Sequence, residues 1–131
     1  MRVADLLQID QSLLRPEKNA EDIQVVYYET GQEYTPHYDW MIGDTESSRY
    51  ITLLLYLSDQ AHEGAGGETF FPKASEGEGL AIHPGKGSAV LFYNLLPDGN
   101  VDDSSLHGSQ PVLDGEKWLA NYWIWDPLFD Q

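Results

Sequence analysis

Two histidines and an aspartate in this chain have the residue types and spacing of a metal site. His37 and Asp39 form an H-x-D pair, and His107 lies far downstream. On a β-strand, alternate residues point to the same face of the sheet, so the pair would present both side chains together. Two imidazoles and one carboxylate are the facial ligand set of non-haem Fe(II) oxygenases, in which other coordination positions stay open. We therefore predict that these three residues bind Fe(II).

A lysine on an apolar segment is the next candidate for chemistry. The open positions on Fe(II) would accept a bidentate 2-oxo acid and O2. A 2-oxo acid with a distal carboxylate also needs a cation at the far end of its pocket. Lys117, which is followed by Trp118 and Leu119, is predicted to be that cation. The alternative is a lysine whose apolar stem packs at a strand end while its ammonium group reaches water.

The remaining histidines carry weaker signals. His62 lies in a loop rich in Gly and Glu, and His83 precedes a proline in a turn. We therefore interpret both as structural residues.

The elements that must position these residues are mostly strands. A short helix is predicted over residues 3–14, ending before Pro16, because leucines recur at helical spacing. A polar loop is predicted over 43–48 and a hairpin-type turn at Asp114-Gly115. Clusters of β-branched and aromatic residues predict strands at 23–28, 34–40, 49–57, 68–71, 88–93 and 117–125, and the segments 80–82 and 106–112 bring the count to seven or eight. This pattern predicts a mainly β fold with a jelly-roll core or a β-sandwich, and a small barrel can hold one ligand in its interior.

Composition narrows the class of protein further. The 131 residues suit one domain, 1–131. No cysteine is present, which excludes disulfides, thiolate catalysis and zinc–cysteine sites. The net charge of -15 argues against nucleic acid and anionic membranes as partners. The same charge would steer a cationic peptide towards the protein, or it serves solubility alone.

Five ordered segments resemble the catalytic domain of the prolyl 4-hydroxylases, which are Fe(II)- and 2-oxoglutarate-dependent dioxygenases. They are YETGQEYTPHYD (28–39), RYITLLLYLSD (49–59), GGETFFP (66–72), PGKGSAVLFYN (84–94) and LHGSQPVLDGEKW (106–118). The resemblance covers about residues 3–126. It implies a double-stranded β-helix, Fe(II), 2-oxoglutarate and O2 as cofactors, and a proline-containing peptide or protein as substrate. Ascorbate is expected to rescue oxidised iron, as in the family.

The resemblance also implies a role for each matching residue. His37, Asp39 and His107 match the iron ligands, and Lys117 matches the residue that pairs with the 5-carboxylate of 2-oxoglutarate. The remaining matches are Tyr28, Tyr56 and Thr69 in the 2-oxoglutarate pocket, and Tyr34, Arg49 and Trp123 facing the peptide. For Tyr56 and Trp123, a simple core position is an equally good interpretation.

Several alternatives stay open from the sequence. The chain could be a dioxygenase for another side chain or a small molecule, a catalytically silent peptide-binding module, or a cupin-like metal enzyme that uses no 2-oxo acid. An N-terminally trimmed domain is also open, because family domains usually begin earlier. No signal or membrane-spanning segment is visible, so the endoplasmic reticulum lumen and the cytoplasm both remain as compartments. The target protein and the oligomeric state are not encoded in any feature we recognise.

Overall fold

The strands of this protein follow its clusters of β-branched and aromatic residues. The structure is a computed structural model, and it describes residues 2–16, 18–40 and 49–125. A short helix, α1 (Val3–Leu7), comes first. The strands in the described parts are β1 (Gln24–Tyr28), β2 (Tyr34–His37), β3 (Arg49–Tyr56), β4 (Thr69–Phe71), β5 (Leu80–Ile82), β6 (Ala89–Tyr93), β7 (His107–Ser109) and β8 (Lys117–Trp125). None of the helices in these ranges has the length and apolar composition needed to cross a bilayer.

The strands form two four-stranded antiparallel sheets. The first sheet has the order β1-β8-β3-β6, and the second has the order β2-β7-β4-β5. Strands distant in sequence are neighbours in each sheet, as expected for a jelly roll rather than for a simple meander. The pairing of β2 with β7 in the second sheet brings the segment around His37 next to the segment around His107.

The core is formed mainly by the first sheet. Strand β3 is the most apolar stretch of the chain and pairs with β6 on one side and β8 on the other, so it is buried along most of its length. Burying one such leucine contributes about 1.5–3 kcal/mol relative to leaving it exposed. The central cluster of buried side chains consists of Tyr28, Leu54, Tyr56, Val112 and Leu119.

Three element predictions differ from the structure. The helix predicted over 3–14 ends at Leu7, because Gln8 adopts a left-handed conformation and Asp10 then caps a separate 3-10 turn through its bond to the Ser12 N–H. The strand predicted over 34–40 ends at His37. The turn at Asp114-Gly115 does not close a hairpin, because β7 and β8 belong to different sheets. The predicted loop at 43–48 lies outside the described residues.

Candidate metal centre

The three predicted metal ligands lie together at one end of the second sheet. His37 ends β2, His107 begins β7, and the two residues are direct partners in the antiparallel register. The His37 Nε2 atom lies 3.3 Å from Asp39 Oδ1, and the His107 Nε2 atom lies 3.5 Å from Asp39 Oδ2. One possible ligand atom from each residue falls within 4.8 Å of the others, and no other such group occurs in the described parts of the chain.

The local backbone explains this convergence, and it corrects the reason given by the H-x-D spacing. Asp39 lies two residues beyond the end of β2, so its carboxylate reaches the histidines from outside the strand. Gly108 allows β2 and β7 to approach closely, because a Cβ atom there would lie 2.6 Å from the Tyr34 carbonyl oxygen. The close pairing of these two strands therefore requires a glycine beside His107.

Main-chain carbonyls fix the orientation of both imidazoles. The Nδ1 atom of His37 lies 2.9 Å from the Thr35 carbonyl, and that of His107 lies 2.8 Å from the Ser105 carbonyl. A carbonyl can only accept, so each Nδ1 carries the proton and each Nε2 presents its lone pair to the centre. Burial lowers the pKa of His107, despite the nearby charge of Asp39. For His37, the hydrogen bonds to Asp39 and Thr35 outweigh burial and raise the pKa.

The carboxylate of Asp39 is held ionised by its hydrogen-bond donors. Burial alone would raise its pKa, but the contacts with the His37 and His107 imidazoles and two further donors lower it to about 2. Those donors are the Thr52 hydroxyl at 2.9 Å and the Trp123 indole N–H at 3.1 Å, both on Oδ2. Two lone pairs on nitrogen and one ionised carboxylate form the donor set that suits Fe(II), so these residues fit that ion.

A cavity of about 400 Å³ leads from this centre into the space between the sheets. Its size falls within the range of small-molecule sites. Apolar walls come from residues such as Leu54 and Leu119, and the far end holds Lys117. The cavity therefore connects the candidate metal site to a single buried ammonium group.

Lys117 is only 3% exposed. Its Nζ donates to the Ser109 hydroxyl at 2.7 Å, and it lies 5.2 Å from the centre of the Tyr28 ring. Burial lowers the pKa of Lys117 to about 8, against the opposing effect of the Glu68 charge. A desolvated cation of this kind is poised to bind an anion.

Comparison with known proteins agrees with this geometry. A sequence model of the 2OG-Fe(II) oxygenase superfamily matches residues 23–125. The chain belongs to this superfamily. Its similarity to a viral collagen prolyl hydroxylase from Paramecium Bursaria Chlorella virus-1, solved as a 2OG complex, extends over 82% of this chain and 59% of that one, with 39% identity and a TM-score of 0.71. The double-stranded β-helix and the resemblance to prolyl 4-hydroxylases are thus confirmed.

Plant relatives give the same result from sequence. The chain is 40% identical to probable prolyl 4-hydroxylase 7 of Arabidopsis thaliana over 88% of its own length and 42% of that protein. For prolyl 4-hydroxylase 2 of the same plant, the identity is 40% over 88% of this chain and 45% of the relative. The chain therefore spans less than half of the curated relatives it matches.

A more distant structure shares the fold alone. A prolyl hydroxylase from Trichoplax adhaerens, solved with a hypoxia inducible factor peptide fragment, is 19% identical with a TM-score of 0.65 and covers 87% of this chain.

Of the three residues predicted for a 2-oxoglutarate pocket, two line the cavity and one lies in the core. Tyr28 lines the cavity and shares a hydrogen bond with Ser109, and burial raises its pKa. Thr69 also lines the cavity and bonds to the Tyr56 hydroxyl at 2.6 Å. Tyr56 itself is only 1% exposed and is not among the described residues that line the cavity. Its position is that of a core residue that supports Thr69.

The residues predicted to face a peptide lie along the cavity, near the metal end. Tyr34 is half exposed, and its ring centre lies 4.2 Å from that of His37. Arg49 donates to both carboxylate oxygens of Glu21, at 2.7 and 2.9 Å, and its guanidinium group stacks 3.7 Å above the Trp123 ring. Arg49 and Trp123 therefore brace the Asp39 carboxylate in addition to lining the cavity.

The two histidines interpreted as structural lie away from the centre. His62 is exposed and contacts Asp114 at 3.0 Å, and His83 is exposed and contacts Glu68 at 3.4 Å.

Sequence reasoning missed two residues that contact the functional groups. Ser109 lies two residues after His107 on β7, so both side chains are on the same face of the strand, and this spacing could have identified Ser109. Thr52 is a hydroxyl residue inside the most apolar strand, and such a residue needs a buried partner, but nothing in the sequence names Asp39 as that partner.

Proposed function

We propose that this protein, as one domain over residues 1–131, hydroxylates prolyl residues of a peptide or protein substrate. The reaction is coupled to oxidative decarboxylation of 2-oxoglutarate to succinate and CO2 at an Fe(II) site. The observation that carries the proposal is one cavity with a His-Asp-His group at one end and a desolvated lysine at the other. This combination suits an oxygenase that needs both a metal ion and a dicarboxylic cosubstrate.

His37, Asp39 and His107 would hold Fe(II), which when bound would activate O2, with the 2-oxo acid supplying two of the electrons. The protein keeps both Nε2 lone pairs directed at the centre through the Thr35 and Ser105 carbonyls. It keeps Asp39 ionised through the donors on its second oxygen. These ligands would therefore bind the metal with little reorganisation, and ascorbate is expected to keep that metal reduced.

Lys117 would bind the 5-carboxylate of 2-oxoglutarate. The Ser109 and Tyr28 hydroxyls adjoin the ammonium group and would complete the polar end of the pocket, together with Thr69. The apolar walls of Leu54 and Leu119 suit the methylene carbons between the two ends. An anion placed here would offset the cost of burying the lysine charge, which concentrates binding free energy at this contact.

The peptide would approach the metal end, where Tyr34, Arg49 and Trp123 lie. The exposed ring of Tyr34 offers an apolar face for a proline ring beside His37. The Nε and Nη2 atoms of Arg49 are already engaged by Glu21, so we assign this residue to shaping the site around Trp123. The net charge of -15 favours a cationic peptide through long-range steering.

The test is succinate release from 2-oxoglutarate with Fe(II) and ascorbate, measured with and without a panel of proline-rich peptides. We expect peptide-dependent succinate, with a mass gain of one oxygen atom on a proline. The His37→Ala variant serves as the inactive control. Succinate release with no proline modified would instead indicate another side chain or a small molecule as substrate. Peptide binding with no succinate would indicate a catalytically silent module.

A further inference from the structure

Asn94 is a fully buried polar residue that the proposed chemistry does not use. It follows β6 directly, and both Asn94 and Thr52 have an exposed fraction of 0%. The Asn94 Nδ2 donates to the Thr52 hydroxyl oxygen at 2.9 Å, and that hydroxyl donates to Asp39 Oδ2 at 2.9 Å. A buried chain of two hydrogen bonds thus connects an amide to the metal-ligand carboxylate.

The direction of this chain follows from the chemistry of its end. An ionised carboxylate accepts hydrogen bonds and donates none. Thr52 must therefore donate to Asp39, so its oxygen can only accept from the other side. Asn94 accordingly presents its NH2 group to Thr52, which leaves its Oδ1 buried without a hydrogen-bond partner. An unpaired buried acceptor costs free energy, so this arrangement reduces stability for the sake of one orientation.

The main chain of Asn94 reaches the second metal-ligand segment. Its carbonyl accepts from the Asp102 N–H at 3.0 Å, and the Asp102 carbonyl accepts from the Ser105 N–H at 3.0 Å. The Ser105 carbonyl in turn holds His107 Nδ1 at 2.8 Å. Asn94 is therefore anchored to the loop that presents His107, while its side chain reaches Asp39. A side-chain substitution removes only the connection to Asp39.

We propose that Asn94 is a positioning residue for the metal centre. Its amide orients the Thr52 hydroxyl, which together with the Trp123 N–H occupies Asp39 Oδ2 and leaves Oδ1 for the ion. This inference rests on the proposed function, since it assumes that Asp39 is a metal ligand. Outer partners of metal ligands affect metal affinity by about 10–100-fold when they are removed.

The experiment measures binding of Co(II), a redox-stable probe, to the full chain by its visible absorption, together with the melting temperature of the metal-free protein. Asn94→Leu keeps the side-chain volume and removes both the donor and the unpaired oxygen. We expect it to bind Co(II) about 10-fold more weakly or worse, while its melting temperature equals or exceeds that of the wild type. A merely structural asparagine would show the reverse pattern.

A double-substitution cycle separates the connection through Thr52 from an indirect effect. Thr52→Val should weaken Co(II) binding to a similar degree, and adding Asn94→Leu to it should weaken binding no further. Ile51→Val is the matched control, because Ile51 neighbours Thr52 on β3 and is 2% exposed. This control should melt at a lower temperature with unchanged Co(II) affinity. If Asn94→Leu does not fold, Asn94→Ala removes the same donor and carries the same expectation for Co(II) affinity, although the cavity it leaves should lower the melting temperature.

Wild-type Co(II) affinity in the folded Asn94 variant, or losses that add fully with Thr52→Val, would overturn the role of Asn94. A wild-type protein that binds no Co(II), or whose Co(II) binding survives His37→Ala, would instead overturn the proposed metal centre.

Discussion

The two ends of the cavity carry opposite charges. Hydrogen bonds stabilise the negative charge at one end, whereas burial destabilises the positive charge at the other. At the metal end, Asp39 accepts hydrogen bonds from Thr52 and Trp123 and lies beside the two imidazoles, and its pKa is lowered to about 2. At the far end, burial lowers the pKa of Lys117 to about 8, and Ser109 is the hydrogen-bond partner of its ammonium group. The carboxylate is stabilised in its charged form by the folded protein, whereas the ammonium group is destabilised in its charged form.

This difference indicates how each end contributes to binding. The metal end is organised in advance, so its donors determine geometry and affinity through orientation. The lysine end stores an unfavourable desolvation that an anionic ligand relieves, so it determines affinity through charge. Substitutions at the first end should therefore abolish chemistry, and those at the second should change the cosubstrate requirement.

The largest effect is expected from removing a metal ligand. Asp39→Ala or His37→Ala should abolish succinate formation, because two remaining donors cannot hold the ion in a facial site. Circular dichroism should show the fold retained, since His37 ends β2, Asp39 lies beyond it, and neither belongs to the central core cluster. His62→Ala is the control, an exposed histidine that should keep wild-type turnover. Full activity of the Asp39→Ala variant would show that this carboxylate is not a metal ligand.

Lys117→Met should have the next largest effect. A charged hydrogen bond contributes about 1.5–3 kcal/mol, so the Michaelis constant for 2-oxoglutarate should rise by roughly 10–150-fold. Methionine keeps the length of the side chain and avoids leaving a large cavity. Steady-state kinetics against 2-oxoglutarate give the measurement, with the exposed Lys86→Met as control. An unchanged Michaelis constant would show that Lys117 does not bind the carboxylate.

The 2-oxoglutarate requirement should also depend on pH. The Lys117 side chain loses its positive charge as the pH rises through its pKa of about 8, so the affinity for 2-oxoglutarate should fall above that pH. At about pH 9 only a tenth of the free protein carries the charge, and the Michaelis constant should rise roughly tenfold. The Lys117→Met variant should show none of this dependence. A flat profile in the wild type would place the lysine charge outside the cosubstrate site.

The stability of the metal-free protein should show the opposite trend with pH. The folded pKa of Lys117 lies below its ordinary value of 10.5, so the unfolded chain binds more protons between about 8 and 10.5. Unfolding free energy should therefore rise with pH across that window through this residue. Urea denaturation of metal-free wild type, minus that of Lys117→Met, isolates the contribution. A difference that stays constant or falls as pH rises from about 8 to 10.5 would contradict a desolvated lysine.

Sequence predicted the components of the site better than the contacts between them. The strands follow from residue type and alternation, which are local properties, and the His37, Asp39, His107 group follows from residue type and from the family resemblance. The hydrogen bonds from Asn94 to Thr52 and from Thr52 to Asp39 join three separate segments, and no periodic pattern in the sequence relates these residues. Likewise, the pairing of Arg49 with Glu21 bridges a strand and a loop. Such contacts depend on how the sheets pack, which a one-dimensional pattern does not contain.

The Lys117–Ser109 hydrogen bond joins the two sheets, because Lys117 begins β8 in the first and Ser109 ends β7 in the second. The histidines belong to the second sheet, while the ammonium group is carried by the first. In the proposed function, the separation between the sheets would set the number of carbons that fit between the metal ion and Lys117 in a bound diacid. Core substitutions that widen or narrow this gap would alter which chain length is accepted, without changing any group that touches the diacid.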